Sequence, residues 1–506
     1  MIALGWTAGS LLSIALPDYV NGQLSSSSQI PFLNPNPTTV GLTGLAGLMS
    51  GVIAFFTRIE NRVAEIQKGL AAVGEIGRKC VFGLSMTLFV MILVSGLAIG
   101  ALKLVDLLSS HPPAGPGVKP EFVAAALVGA GLFLFSVAIS IPVNINHFSS
   151  HTAYRNRLVR TFLGASNLPR SYNPFTGFSS KDNVLLHSLI RPPLERDRKE
   201  ALNQLKQRKQ PILQRPLHVL CGAANLATGE KLAWQERKAV SFTFSGLHCG
   251  SSELGYRDSA EFGGPRGISL GTAMTISAAA ANSGMGFYSS PLKSFLLTLL
   301  NARLGWWLGN PSHVDSWKRD SPLLTFGPLV AELFSLTDRR AKFVNLSDGG
   351  HFDNTAVYEM LKRRCGRILL IDADTTLSGM TNLSMRARVD LDTNLERTKS
   401  SADQPWEEYA IHYPQMNGDP QFSGTLVRVF PKVCESSSFD SVEYQRVHKD
   451  FPGTSIIDQF FAERTFEAYR KLGMDAMESR LKKDGSQGIA LVFGGHIRQS
   501  GASIGD

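Results

Sequence analysis

Two uncharged apolar runs constrain this chain more than any other feature. Val81–Gly100 is a 20-residue run without formal charge, and Phe122–Val143 is charge-free as well. A helix of about 20 apolar residues crosses a bilayer because its backbone hydrogen bonds close within the segment. A further run over 39–57, rich in glycine, is a weaker span. About three transmembrane helices are therefore expected within residues 1–150. For the later two, a buried hairpin of core helices is the competing reading. Met1–Pro17 is apolar but barely long enough to span, and it lacks the charged start of a signal peptide. Residues 23–38, rich in Ser, Asn and Pro, read as a loop.

The basic residues orient these spans. Arg58, Arg62, Lys68, Arg78 and Lys79 lie between the first and second runs, and Arg155, Arg157 and Arg160 follow the third. Only Lys103 and Lys119 lie between the second and third. Both basic segments fall on one side, which the positive-inside rule places in the cytoplasm together with residues 151–506.

Composition excludes several alternatives. Cys80, Cys221, Cys249, Cys365 and Cys434 are odd in number and widely spaced, so neither a disulfide framework nor a zinc site is indicated. The net charge is +9, with 7 Lys or Arg against 6 acidic residues up to position 150 and 44 against 36 beyond it. That excess suits an anionic lipid surface or plain solubility. Nucleic acid is not indicated. No basic run is interleaved with aromatics, and the Arg-rich stretch 191–209 is broken by Glu195, Asp197 and Glu200.

Residues 151–506 read as globular, within a length that allows two or three domains. Strands are expected at Leu217–Leu220, Ala239–Phe244, Phe343–Leu346, Arg367–Ile371 and near Thr425–Phe430, with a last one in Ile489–Asp506. Helices are expected at Leu270–Ala281, from Pro291, around Leu329–Arg339, and over about Ile457–Lys482. Gly250–Gly267 reads as a loop, Leu304–Pro311 as an aromatic turn, and 375–425 as irregular. Strand, turn, helix and strand at these spacings argue for α/β architecture.

The stretch Leu346-Ser347-Asp348-Gly349-Gly350-His351 is the main candidate for chemistry. An apolar strand ends on a carboxylate, two glycines allow a tight turn, and a helix follows to about Arg364. Such a turn points a base at a site. An ordinary Asx or Gly turn with Asn354 as helix cap explains the same residues. His351 and Asp353 beside Asp348, with Asp372 and Asp374, have metal-ligand chemistry. Equally, His351 bonds locally, Asp353 favours the helix N-terminus, and Asp372 and Asp374 end a buried strand. Trp306-Trp307 suits an acyl groove, a membrane surface or ordinary core packing.

Five stretches together resemble the later portion of patatin-like phospholipases, in particular large bacterial members with membrane segments. They are Tyr154–Ser166, Leu217–Gly229, Ser269–Gly286, Asn301–Pro311 and Leu346–Asn354, in the order that family requires. The resemblance implies an incomplete three-layer patatin-like α/β domain over 151–506, preceded by the membrane region. It also implies a Ser–Asp dyad with Asp348 as base, a turn shaped by Gly349 and Gly350, and a small-residue helix carrying Ser277 beside the site. The expected reaction is hydrolysis of a lipid acyl ester at the bacterial inner membrane, with membrane lipid as partner and no metal or organic cofactor.

The family's Gly-rich loop and G-x-S-x-G elbow belong well before residue 217, and neither is found there. Gly83-Leu84-Ser85-Met86-Thr87 lacks the last glycine, and Phe175–Ser180 lacks the spacing. Ser269, in Gly267-Ile268-Ser269-Leu270-Gly271, matches the letters but follows Gly263-Gly264-Pro265-Arg266 instead of a strand. Ser277, on the small-residue helix, stands level with Ser269 as a nucleophile, and Ser283 and Ser503 are weaker still. The expectation is a chain lacking the part that carries the Ser. The alternative is a catalytically inactive membrane scaffold or lipid-binding protein.

Overall fold

The computed structural model describes residues 96, 99–100, 103–108, 120–166, 171–179, 181–190, 216–226, 237–299, 301–415, 422–454 and 462–483. Two compact units divide at residue 142. In the first, helix α1 (Pro120–Ser140) contains an 18-residue window of mean hydropathy 2.3 with mostly exposed faces, apolar and long enough to span a membrane. The expected spans at 39–57 and nearly all of 81–102 lie outside the described residues. So do Met1–Pro17, the loop at 23–38, Gly83–Thr87, Ser503 and the expected last strand.

The unit from Val143 onward is mixed α/β, with two sheets. The first has six antiparallel strands in the order β4-β3-β2-β1-β6-β5. These are β1 (Val219–Asn225), β2 (Ala239–Ser245), β3 (His248–Ser251), β4 (Gly255–Asp258), β5 (Trp306–Gly309) and β6 (Phe343–Asp348). Val240, Phe242 and Phe244 on β2 and Val344 and Leu346 on β6 recur at period two and bury one face. Helix α2 (Ser150–Leu158) is followed by irregular helical turns to Ser166. Helix α3 (Leu270–Ser277) covers the buried sheet face with Leu270, Ala273 and Ile276. Removing side chains such as Phe242 and Ile276 from water supplies about 1.5–3 kcal/mol each.

Helices α4 (Pro291–Leu299) and α5 (Phe326–Leu333) precede β6, and α6 (Val357–Lys362) follows it. The next strand, β7 (Arg367–Ile371), does not return to β6. It opens a second sheet of order β7-β10-β9-β8, in which only β7 and β10 run parallel. Its other strands are β8 (Asn394–Lys399), β9 (Trp406–His412) and β10 (Ser423–Val429). Helix α6 and α7 (Ser378–Leu391) cover one face through Val357, Leu361, Met380 and Leu383. After α8 (Phe439–Val447), the long α9 (Glu463–Lys483) covers the other through Ala476 against Trp406, Val427 and Val429.

Several sequence expectations change here. Gly250–Gly267 is not wholly a loop, because β4 closes a hairpin on β3 within it. The Trp-Trp segment is strand β5, all four residues buried, so its rings are core rather than groove or membrane surface. Residues 375–425 are not irregular, since α7, β8, β9 and β10 occupy most of them. The helix after Asp348 is confined to Val357–Lys362, beginning after Ala356 in the left-handed region. The helix expected at Leu329–Arg339 ends at Leu333, and the last helix begins at Glu463.

Candidate active site

Asp348 is delivered by the β1–β6 ladder, where it stands opposite Gly222. It is the last residue of β6 and caps the single turn Gly349–His351, its Oδ1 accepting from Gly350 N–H at 2.6 Å. Among the described residues, no hydrogen bond reaches Oδ2. Burial pushes the carboxyl up from the usual range, opposed by the Gly350 N–H. A half-buried carboxylate with one oxygen held and one open has the form of a positioned base.

Gly349 is required by close approach to backbone, whereas Gly350 meets the movable side chain of exposed Asn354. A Cβ at 349 would stand 2.7 Å from the Cys221 carbonyl oxygen, and one at 350 would stand 2.6 Å from Asn354 Oδ1. Ser277, at the end of α3, donates to the same Cys221 carbonyl at 2.6 Å. It thus braces the strand beneath the turn. Asp348 N–H in turn donates to Ala279 O at 3.3 Å. Tyr154 on α2, given no role from sequence, also belongs to this neighbourhood. Burial raises its phenol, and the Asp348 charge adds to the rise.

The remaining candidates are committed elsewhere. Ser269 is the N-cap of α3, accepting from Thr272 N–H at 3.2 Å and from Asn183 Nδ2 at 3.0 Å. Its extended backbone (φ −83°, ψ 152°) is not a strained elbow. Ser283 is buried, and its carbonyl accepts from Ser294 Oγ. Burial pushes the Cys221 thiol up to about 12, which leaves it protonated and a poor nucleophile. Asp353, not Asn354, caps the start of α6, accepting from the Thr355 and Tyr358 N–H groups at 3.0 and 2.9 Å. Asp372 pairs with Arg428 at 2.8 Å in the second sheet, and Asp374 accepts from Thr376 and Ser378. The proposed metal-ligand group is therefore not assembled, and the described residues hold no cluster of three His, Cys, Asp or Glu suited to a metal.

Behind the turn runs a buried polar chain that sequence reading missed. His351 Nε2 lies 3.2 Å from the Ala280 carbonyl, which only accepts, so Nε2 carries the proton and Nδ1 accepts from Ser347 Oγ at 2.7 Å. Asn225 Nδ2 donates to Ser347 Oγ at 2.8 Å and to Asn345 Oδ1 at 2.9 Å. Asn282 donates to the same Asn345 oxygen at 2.6 Å, and Asn345 Nδ2 donates to Glu332 at 3.3 Å. Glu332 also receives Trp307 Nε1 at 2.7 Å and Arg303 Nε at 3.1 Å. The available signal was the alternation in β6, where Asn345 and Ser347 interleave with Val344 and Leu346. Polar residues at period two inside a buried strand require partners on the second face.

This chain has a pH signature. Burial lowers His351 to about 4, against the pull of the Ala280 carbonyl. The unfolded chain therefore takes up the proton first on acidification. The residue's contribution is complete above about pH 6.5 and is lost as pH falls towards 4, about 3 kcal/mol in all. His151, lowered to about 3 chiefly by burial, acts in the same direction. Thermal unfolding of the detergent-solubilised protein should show a smaller drop between pH 7 and 4.5 in His351→Gln than in wild type. An equal drop in both would remove His351 from this role.

No family model matches this chain, and no curated protein does. Among solved structures the chain is similar to human GIVD cytosolic phospholipase A2, with 13% sequence identity and a TM-score of 0.35. The match covers 77% of this chain and 56% of that one, so the chain spans little more than half of that protein's length. The resemblance is distant and partial.

Proposed function

We propose that this chain belongs to a membrane-anchored lipid acyl-ester hydrolase of the patatin-like type. In this reading residues 1–150 form the membrane region and 151–506 the later portion of the catalytic domain, facing the cytoplasm at a bacterial inner membrane. Asp348 is the base of a Ser–Asp dyad, Gly349 and Gly350 shape its turn, and Ser277 braces the strand beneath it. The Ser is not among the described residues. The observation that carries the reading is the setting of Asp348, with one oxygen fixed by Gly350 and the other open. In acyl transfer, a base so held accepts the hydroxyl proton as oxygen attacks the ester carbonyl.

The test is fluorophosphonate labelling in bilayers of this chain and of the product of its whole reading frame, each with and without Asp348→Asn. Labelling of the longer form alone, falling at least about a hundredfold in Asp348→Asn, is the expected result. Labelling of the 506-residue chain itself would place the nucleophile within it. A second reading, an inactive scaffold that binds lipid, is favoured by one observation: no described serine hydroxyl is hydrogen-bonded to Asp348. Absence of labelling in every form would select it.

A further inference from the structure

We infer that the loop over 171–179 is an interfacial anchor that seats its aromatic tip in an anionic lipid surface. The loop is closed by its own hydrogen bonds. Asn173 N–H donates to Phe178 O at 2.9 Å and Gly177 N–H to Asn173 O at 2.8 Å. Asn173 Oδ1 accepts from Phe175 N–H at 2.9 Å and from Thr176 N–H at 3.0 Å. Gly177 takes φ +70°, where a Cβ would meet the Arg160 guanidinium at 3.0 Å. That guanidinium lies 6.0 Å from the Phe178 ring centre and donates to Thr176 O at 3.5 Å.

This built loop displays what a soluble surface avoids. Phe175 at its tip is 96% exposed and Tyr172 57%, and Phe162 on the adjoining helical turn is 56% exposed. A ring held out by a backbone-bonded turn loses little freedom when it enters an interface, and aromatic side chains favour the headgroup level. The sequence leading into it carries charge of one sign, and Arg160 brings one of these cations against the loop. No Asp or Glu occurs from Phe122 to Lys181, while Arg155, Arg157, Arg160, Arg170 and Lys181 all fall in that interval. The interval begins within α1 and runs on without a carboxylate to the loop. Cations beside exposed aromatics match an anionic leaflet, as in surface-bound amphipathic segments. A protein partner is the weaker fit, because residues 171–179 carry no charged side chain to sort among partners, only exposed rings. The inference rests on reading α1 as a span.

The test replaces Phe175 by p-benzoylphenylalanine in the full chain, reconstituted in phosphatidylcholine nanodiscs with or without phosphatidylglycerol. Phe135→p-benzoylphenylalanine, within α1, serves as the reference position. The near-complete exposure of Phe175 makes the substitution compatible with folding. Irradiation should give a lipid adduct by mass at 175, severalfold more abundant when phosphatidylglycerol is present. Adducts at 135 without adducts at 175 would overturn the anchor and leave the span standing. Adducts at neither position would overturn both. Equal yield in the two discs would overturn the anionic-lipid assignment, and a crosslink at 175 to a second copy would replace it with a chain–chain contact.

Discussion

Glu332→Ala destabilises the unit from Val143 onward by about 3–5 kcal/mol, the expected cost of removing one member of a buried ion pair. Glu332 on α5 is almost wholly buried, and four donors converge on its carboxylate. These are Arg303 Nε at 3.1 Å, Trp307 Nε1 at 2.7 Å, Asn345 Nδ2 at 3.3 Å and Thr298 Oγ1 at 3.5 Å. Burial pushes this carboxyl up, and the donors, with Arg303 foremost, pull it down. Taking the carboxylate away strands a guanidinium that is itself 2% exposed, and it leaves an indole N–H without its acceptor. Denaturant unfolding of the detergent-solubilised protein, followed by tryptophan fluorescence, measures the loss. Arg303→Met should cost a similar amount, and Arg303→Met with Glu332→Leu should recover a large part of it. A loss below about 1 kcal/mol for Glu332→Ala would show that the pair and its donors are dispensable.

The second large effect lies in the other sheet. Arg428 on β10 is 1% exposed and holds Asp372 Oδ2 at 2.8 Å and Glu407 Oε2 at 3.4 Å. Its Nη2 donates to the Asp374 and Thr376 carbonyls, tying the exit of β7 to the sheet. Arg428→Ala strips Asp372 of its cation and leaves Glu407 only the half-exposed Arg397 at 3.3 Å, again an expected loss of about 3–5 kcal/mol. Lysine in its place keeps the charge but not the planar set of donors, so Arg428→Lys should fall between. Hydrogen exchange read by peptide is the discriminating measurement. Amides of 367–371 and 423–429 should lose protection first, while those of 219–225 and 343–348 keep more of theirs. Uniform protection across both sheets would contradict this placement of the load.

Residues with a local signal were legible in the sequence. The apolar alternation of Ala239–Phe244, the strand before Asp348 and the small-residue helix at 270 all formed near the expected positions. Trp306–Gly309 was misread because a strand buried on both faces shows no alternation, and its flanking glycines suggest a turn. Strand β8, Asn394–Lys399, is polar and mostly exposed at the edge of its sheet, so it carries no apolar pattern to find. The Asp348 turn could be read because carboxylate and glycines are adjacent in sequence. The polar chain behind it could not, because Asn225, Asn282, Glu332 and Asn345 meet only in three dimensions.

The two sheets follow one another along the chain without interleaving. Among the described residues, every strand of the first lies between Val219 and Asp348, and every strand of the second between Arg367 and Val429. During synthesis the chain emerges from its N-terminal side, so all partners of the strand that ends at Asp348 have been made before β7 exists. The ladder that aims this carboxylate can close on the nascent polypeptide without waiting for any strand of the second sheet.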